Sequence, residues 1–305
     1  MRAVYRGDLD GTVCAAILKY IGLCDEILQA HPKDMQDQKV EVTNQDILCN
    51  LPYHPNCYMW FDHHSSEITR DDFPPDDFKG WVELAPSTAG LVYQYFLPKH
   101  PGLTRFEQIV DETDLLDSAD LTLEQVLNPT GTFLLGFILD PRTGLGLSRD
   151  FRVSNFQWSS QLPELLTKIS VDEILAMPDS QERIQRYNEM QDSAAEFYEA
   201  NSRLDGNVIV TDVRGKDIPP ANRFLIYTLP GLDAGNISVR IADAKPGDFC
   251  SIAVAHSIFN RTSEVDCGEL CKQYGGGGHR GAATCQPSVK ECDRVLKEII
   301  AVCKE

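Results

Sequence analysis

The sequence predicts an α/β protein of two domains, and three observations support this fold class. The chain has 305 residues, which is more than one ordinary small domain needs. It opens with a short apolar strand, an acidic turn and a helical pattern, as parallel α/β sheets typically do. A polar helical pattern at residues 181–203 is followed by a new strand, which predicts a second, smaller domain of mixed α/β structure.

The first domain is predicted to span residues 1–180, with strands and helices alternating along the chain. Apolar runs predict strands at residues 4–6, 39–43, 47–49 and 58–61. Helical periodicity predicts helices at residues 12–21 and 86–96 and within residues 105–120. Ser87 is a suitable N-cap for the second of these helices, because its hydroxyl can accept from a free backbone N–H of the first turn.

A connecting helix is predicted at residues 181–203, which contain neither Gly nor Pro, and the second domain at residues 204–305. Its predicted strands cover residues 207–211, 224–228, 237–241 and 249–255. Its predicted helices cover residues 267–273 and 289–302, with a glycine-rich loop between them.

The charge of the chain limits its partners. The net charge is −18, from 46 acidic and 28 basic residues, which disfavours binding to long duplex DNA by phosphate neutralisation. A small anionic substrate in a local basic pocket remains compatible with this charge. No apolar run approaches the roughly 18 residues of a membrane span, and the N-terminus shows no signal peptide. We therefore expect a cytoplasmic protein without a membrane partner.

The ten cysteines do not have the spacing of a disulfide framework. Cys267 and Cys271 lie four residues apart in a predicted helix, but no second close pair completes a zinc site. We expect reduced structural thiols, as in cytosolic proteins generally.

Two carboxylates follow the first predicted strand, in Arg6-Gly7-Asp8-Leu9-Asp10-Gly11. In a tight turn both Asp8 and Asp10 can reach one cavity, and paired carboxylates suit hard divalent cations such as Mg2+ or Mn2+. The same letters also occur in ordinary turns, where Asp and Gly are favoured for their backbone conformations.

A second polar group, Asp62-His63-His64, closes the apolar strand at residues 58–61. Imidazole beside carboxylate favours Mn2+ over Mg2+, because imidazole is the softer ligand. A surface turn with solvated histidines is the alternative for this triplet alone. The two motifs together favour a metal site.

The third motif is the run Gly275 to Gly278, followed by His279 and Arg280. Successive backbone amides in such a loop can bind an anion, and Arg can hold a phosphate with two hydrogen bonds. The loop lacks the Gly-Lys-Ser/Thr ending of a Walker loop. A glycine-rich hairpin without a ligand is the alternative.

Taken together, these motifs resemble the DHH phosphoesterase superfamily with its DHH-associated C-terminal domain, over essentially the whole chain. Relatives include RecJ-like exonucleases, oligoribonucleases, cyclic-dinucleotide phosphodiesterases and exopolyphosphatase-like proteins. The resemblance implies an N-terminal parallel-sheet domain, a smaller mixed C-terminal domain and an active-site cleft between them. It also implies hydrolysis of a phosphoric ester or anhydride with one or two Mn2+ or Mg2+ ions.

The resemblance assigns roles residue by residue. It implies that Asp8, Asp10 and His63 ligate metal, that Asp62 supports the site and that His64 faces the scissile phosphate. A later Asp completes the ligand set, and Asp114 is our choice, with Asp111 as the rival. In the second domain it implies substrate contacts from the following residues: Arg240, Gly276, Gly277, Gly278, His279 and Arg280.

Two positions depart from the family pattern. The first motif usually has His where this chain has Arg6, and a guanidinium cannot ligate a metal. The family's bridging Asp stands at the end of a middle strand, where this chain has Asn50 after the predicted strand or Asp46 before it, at the wrong end; if Asn50 is the equivalent position, the bridging carboxylate is lost. These changes predict at most one well-formed metal site, around Asp10, His63 and Asp114, with Arg6 available to bind phosphate directly.

The sequence therefore supports two functions. The first is a metal-dependent phosphoesterase acting on a short oligonucleotide, a dinucleotide, a nucleoside bisphosphate or polyphosphate. The second is a protein that kept the fold, lost the chemistry and binds a nucleotide or polyphosphate without turnover. The sequence leaves self-association, including a homodimer, open.

Overall fold

A computed structural model describes residues 1–68, 78–244 and 247–304. The chain divides into two compact units, Met1–Asn188 and Glu189–Glu305. Within the described ranges, no helix is both long and apolar enough to cross a lipid bilayer.

The first unit contains a five-stranded sheet in which every pair of neighbours is parallel. The strands are β1 (Arg2–Arg6), β2 (Glu26–Ala30), β3 (Asp46–Cys49), β4 (Met59–Asp62) and β5 (Gly80–Val82). Their order across the sheet is β2-β1-β3-β4-β5. The carboxyl ends of β1, β3 and β4 therefore meet at one edge, where α/β proteins usually bind ligands. This confirms the predicted parallel-sheet domain.

The helices of the first unit are mostly short. They are α1 (Leu9–Tyr20), α2 (Pro32–Gln36), α3 (Ser65–Ile68), α4 (Thr88–Phe96), α5 (Glu107–Asp117), α6 (Leu123–Leu127), α7 (Gly131–Leu139), α8 (Asn155–Ser159), α9 (Leu162–Leu166), α10 (Val171–Leu175) and α11 (Pro178–Glu189). Short 3-10 segments cover Pro101–Phe106, Pro141–Thr143 and Leu145–Leu147.

Burial explains why the central strands and α1 form as predicted. Ala3, Val4 and Tyr5 of β1 are fully buried, and so are Trp60 and Phe61 of β4, because these strands are covered on both faces. Helix α1 is buried from Leu9 to Leu18, which places it in the core rather than on the surface. The predicted strand at residues 39–43 does not form.

The second unit contains a mixed six-stranded sheet. Its strands are β6 (Ser202–Asp205), β7 (Val208–Asp212), β8 (Ile237–Ala244), β9 (Phe249–His256), β10 (Gly277–His279) and β11 (Ala282–Cys285), in the order β10-β11-β9-β8-β7-β6. Only the β7–β8 pair is parallel. The helices are α12 (Gln191–Asn201), α13 (Cys267–Lys272) and α14 (Cys292–Cys303). This confirms the predicted mixed α/β structure.

Alternation along β8 separates the two faces of this sheet. Ile237, Val239 and Ile241 are fully buried in a core that includes residues of α13 and α14. Ser238 and Arg240 therefore point to the opposite face, since side chains alternate along a strand.

Three further expectations differ from the structure. Residues 224–228 were predicted as a strand, but Leu225–Thr228 is a 3-10 segment, since a short apolar run does not distinguish the two. The segment predicted as one connecting helix contains α11 and α12, which are separated at Met190. The expectation that all thiols are reduced was wrong, because Cys250 and Cys292 form a disulfide with Cα atoms 6.2 Å apart. These cysteines are 42 residues apart in sequence, and the fold brings the start of α14 to β9.

Candidate metal centre

Asp8 and Asp10 follow β1 directly, and helix α1 begins between them. The Asp8 carboxylate caps α1 by accepting from the Gly11 amide at 3.1 Å. Gly11 packs so closely on the end of β1 that a Cβ there would lie 2.1 Å from the Arg6 carbonyl oxygen. The tight strand-to-helix turn thus depends on this glycine, and it brings both carboxylates into the same buried region, with Asp8 6% and Asp10 1% exposed.

Asp10 lies at the N-terminus of α4. Its two carboxylate oxygens accept from the Thr88 amide at 3.1 Å and the Ala89 amide at 2.6 Å. A helix N-terminus presents free N–H groups and a positive dipole end, which favours a carboxylate there. These contacts fix the orientation of Asp10.

His63 follows β4 and faces two carboxylates through one ring nitrogen. Its Nε2 atom lies 3.2 Å from Asp117 Oδ2 and 3.8 Å from Asp10 Oδ2. Its Nδ1 atom lies 2.9 Å from the Ala85 carbonyl oxygen, which can only accept, so Nδ1 carries a proton. A backbone carbonyl that fixes the tautomer in this way is a common partner of metal-binding histidines.

Asp10, His63 and Asp117 form what we call the Asp-His-Asp cluster. One ligand atom from each residue lies within 4.8 Å of the other two. Oxygen and imidazole ligands together suit Mn2+, and oxygen-rich sets also suit Mg2+. The geometry and the donor types therefore fit a divalent cation.

The protonation of this cluster shows an excess of buried negative charge. Burial and the neighbouring Asp117 carboxylate raise the pKa of Asp10 to about 7. Burial alone would lower the pKa of His63, but its contacts with Asp117 and Asp10 raise it to about 10. Burial alone would raise the pKa of Asp117, but the hydrogen bond with His63 lowers it. In the metal-free chain, a proton on His63 thus supplies positive charge that a bound cation would supply instead.

The structure brings Asp117 to His63, where the sequence pointed to Asp114 or Asp111. Asp114 lies one turn earlier on α5, and its Oδ1 accepts a hydrogen bond from the Ser87 hydroxyl. Asp111 lies a further turn back and is exposed. The three carboxylates recur every three residues on one side of α5, and only the last of them, at the end of the helix, reaches the cluster.

Arg6, Asp8 and Asn50 form a second group, the Arg6–Asp8–Asn50 network. Arg6 Nε lies 2.9 Å from Asp8 Oδ2, and Asn50 Nδ2 donates to Asp8 Oδ1 at 3.1 Å. Asn50 follows β3 with a φ of 56° and is buried. Asp46, the doubtful alternative for the bridging position, lies at the other end of β3 and pairs with Arg2 at 2.6 Å.

Asp62 orients its neighbour His64. Asp62 Oδ1 accepts from the His64 backbone amide at 2.7 Å and lies 2.9 Å from His64 Nδ1. The His63 and His64 rings meet edge to face, with centroids 4.5 Å apart. Asp62 therefore acts on the imidazole of His64 rather than on the Asp-His-Asp cluster.

Arg142 is a residue near this site that sequence reasoning missed. Asp140 holds its Nε atom at 2.8 and 3.0 Å and also accepts from its backbone amide at 2.8 Å. Partial desolvation of the guanidinium would lower the pKa of Arg142, but the negative charges of Asp140, Asp8 and Asp117 raise it. The Asp140-Pro141-Arg142 turn is the only sequence signal, and it does not reveal which strand ends lie beside it.

In the second unit, the glycine run forms a hairpin. Gly277–His279 pairs with Ala282–Cys285, and the turn consists of Arg280 and Gly281. A Cβ at Gly276 would lie 2.2 Å from the Thr284 carbonyl oxygen, and one at Gly278 would lie 2.5 Å from the Ala282 carbonyl oxygen. The glycines therefore allow close packing of the two strands, as the hairpin interpretation requires.

Arg240 and His279 project from the same face of the second sheet. Across the sheet, Arg240 lies in one row with Ala253 of β9 and Gly277 of β10. Ser238, which shares a face with Arg240, lies in the row that ends at His279. Three strand spacings separate β8 from β10, which is about 14 Å. The Nε atom of Arg240 is buried and has no hydrogen-bond partner among the described residues. Arg280 is exposed and donates to the Glu264 carbonyl at 3.3 Å.

Comparison with solved structures identifies the family. The chain is 38% identical to the pGpG-specific phosphodiesterase PggH from Vibrio cholerae, with a TM-score of 0.79 over 98% of this chain and 97% of that one. The chain belongs to the DHH phosphoesterase superfamily. RecJ from Thermus thermophilus in complex with Mn2+ shares the fold at 12% identity, with a TM-score of 0.53 over 97% of this chain and 51% of that one. No protein-family model matches the chain, and neither does any curated protein.

Proposed function

We propose that this protein is a phosphodiesterase that cleaves a linear dinucleotide of the pGpG type, with a divalent cation held by the Asp-His-Asp cluster. The observation that carries the proposal is the likeness to PggH, which extends over nearly the full length of both chains at 38% identity. The cluster supports it independently, because its buried carboxylates and its oriented imidazole fit a metal.

Asp10, His63 and Asp117 would hold the cation, and we propose Mn2+ because one ligand is an imidazole. Such a cation would supply electrostatic stabilisation of the phosphorane-like charge and activation of water. Arg6 and Arg142 would add positive charge beside the phosphate, since both lie close enough to Asp117 to lower its pKa.

The reaction that we propose is hydrolysis of the 3′,5′ linkage. Water attacks the phosphorus atom, the bond between phosphorus and the O3′ atom breaks, and pGpG and water give two molecules of guanosine monophosphate. His64, which Asp62 holds through Nδ1, would donate the proton that O3′ requires. Arg240, His279, Arg280 and the backbone of Gly276 to Gly278 are proposed as further substrate contacts in the second unit.

The first test measures guanosine monophosphate release from pGpG with Mn2+, beside short RNA, a 3′,5′-bisphosphate and polyphosphate. Preferred turnover of pGpG that is lost in Asp62→Ala and His63→Ala supports the proposal. If another substrate is turned over in preference, the protein is still a phosphoesterase, but pGpG is not its substrate. If both variants were as active as the wild type, the site assignment would be contradicted.

A binding protein without turnover is the second candidate, and the Arg6–Asp8–Asn50 network is the observation that favours it. By the family resemblance, Arg6 stands where a His is usual in the first motif, and Asn50, if it is the equivalent position, stands where the bridging Asp is usual. If a folded protein shows no turnover with any substrate and still binds pGpG, this candidate replaces the first. Arg240→Ala should then weaken binding.

A further inference from the structure

The surroundings of Asp8 differ from those of a metal ligand. Asp8 Oδ1 already accepts from the Gly11 amide and from Asn50 Nδ2, both at 3.1 Å. Asp8 Oδ2 lies 2.9 Å from Arg6 Nε. Asp8 Oδ1 therefore faces two donors, whereas Oδ2 has the Arg6 guanidinium beside it but no hydrogen-bond partner among the described residues. The positive charge of that guanidinium would repel a second cation at Oδ2.

We infer that the site takes one divalent cation, at the Asp-His-Asp cluster, and that the Arg6 guanidinium occupies the place of a second cation beside Asp8. This inference rests on the proposed function, because it takes the Asp-His-Asp cluster as the site of the one bound ion. It deepens that function by limiting the site to one ion and by assigning the place of a second ion to the Arg6 guanidinium.

Arg6 is suited to this role by charge and by position. A guanidinium is protonated at every working pH, so its charge is as permanent as that of an ion. Its Nε atom is engaged by Asp8, while Nη1 and Nη2 make no hydrogen bond to the described residues. The side chain is 32% exposed, so these two atoms can meet a phosphate with two parallel hydrogen bonds.

Asn50 completes the arrangement. Its backbone amide donates to the Phe61 carbonyl at 3.1 Å, which fixes it between β3 and β4. It presents its Nδ2 donor to Asp8, while its Oδ1 atom is buried without a hydrogen-bond partner among the described residues. If Asn50 were an aspartate, the Nδ2 donor that faces Asp8 would be replaced by a carboxylate oxygen, which accepts and carries negative charge. The Asn50 side chain therefore brings a donor and no charge to Asp8, where a second cation would need an acceptor.

The test counts Mn2+ ions bound to the full chain by equilibrium dialysis, in the wild type, in the double variant Arg6→His/Asn50→Asp and in Arg2→His. Arg2 is the control, because it lies on the same strand and also pairs with an aspartate, Asp46, at 2.6 Å. We expect one ion in the wild type and in Arg2→His, and two in the double variant. Two ions in the wild type, or one in a double variant with native circular dichroism, would overturn the inference.

A second measurement covers the case in which the double variant does not fold. Arg6→Ala should still bind one Mn2+ ion but should bind inorganic phosphate about tenfold more weakly, because the bidentate contact is lost. Unchanged phosphate affinity would overturn the role of Arg6. A wild-type count of zero would refute the metal centre itself, and with it the inference, so the two failures are distinguishable.

Discussion

Asp8 and Asp10 are two residues apart in one turn, yet the structure gives them opposite surroundings. Asp10 is joined by an imidazole and a second carboxylate, and its own pKa is raised to about 7 by burial and by Asp117. The negative charge of Asp8 is compensated by the Arg6 guanidinium at 2.9 Å, and the Asn50 amide donates to it at 3.1 Å. The comparison teaches that neighbouring residues, rather than the motif, decide which carboxylate can bind a metal.

The largest expected effect comes from a substitution in the Asp-His-Asp cluster. Asp117→Asn should reduce Mn2+ affinity and turnover by more than about 100-fold, because loss of a direct ligand should exceed the roughly 10- to 100-fold cost of losing a ligand's supporting partner. Asp114→Asn is the matched control on the same helix, and it should keep a single bound Mn2+ ion. Calorimetric titration with Mn2+ and an initial-rate assay measure both quantities. A larger loss in Asp114→Asn would restore Asp114 as the ligand.

A smaller effect is expected beside the cluster, at Asp62. Asp62→Asn should lower kcat by about 10- to 100-fold, since an amide holds the His64 ring less firmly than the carboxylate does. The number of bound Mn2+ ions should stay at one, because Asp62 does not face the cluster. A loss of metal without any change in kcat per bound ion would show that Asp62 is a ligand instead.

The raised pKa of His63 in the Asp-His-Asp cluster also predicts that Mn2+ affinity depends on pH. In the metal-free chain the pKa of His63 is raised from 6.5 to about 10, so its contribution to stability is complete below pH 6.5 and is lost as the pH rises through about 10. Mn2+ binds the deprotonated imidazole, so its affinity should rise with pH, by up to about tenfold per unit, over this range. Melting curves should therefore show a larger Mn2+-induced increase in Tm at about pH 8.5 than at about pH 6.5, relative to EDTA. Equal increases at the two pH values would contradict the protonated state of His63.

The sequence predicted the edge of the sheet where the candidate site lies, because the Asp8-Asp10 and Asp62-His63-His64 motifs each directly follow an apolar strand. Asp8, Asp10, Asp62 and His63 all lie at carboxyl ends of parallel strands, as expected. The choice among the carboxylates of α5 could not be predicted, because the sequence of a helix does not show which of its turns reaches His63. Ser87 illustrates the same limit: it is the N-cap that was predicted, but its contact with Asp114 depends on the packing of α4 against α5.

The smallest expected effect concerns Arg142, which lies near both halves of the site but ligates nothing. Its side chain is 47% exposed, and Asp140 already neutralises part of its charge, so its contact with a substrate phosphate should contribute only about 1 kcal/mol. Arg142→Ala should therefore raise KM about five- to tenfold and leave the Mn2+ count at one, while Arg149→Ala, an exposed arginine nearby in sequence, should change neither. If Arg142→Ala instead lowered kcat as strongly as Asp62→Ala, Arg142 rather than Arg6 would carry the positive charge that the transition state requires. The Asp8 half of the site would then serve to position α1 rather than to bind phosphate.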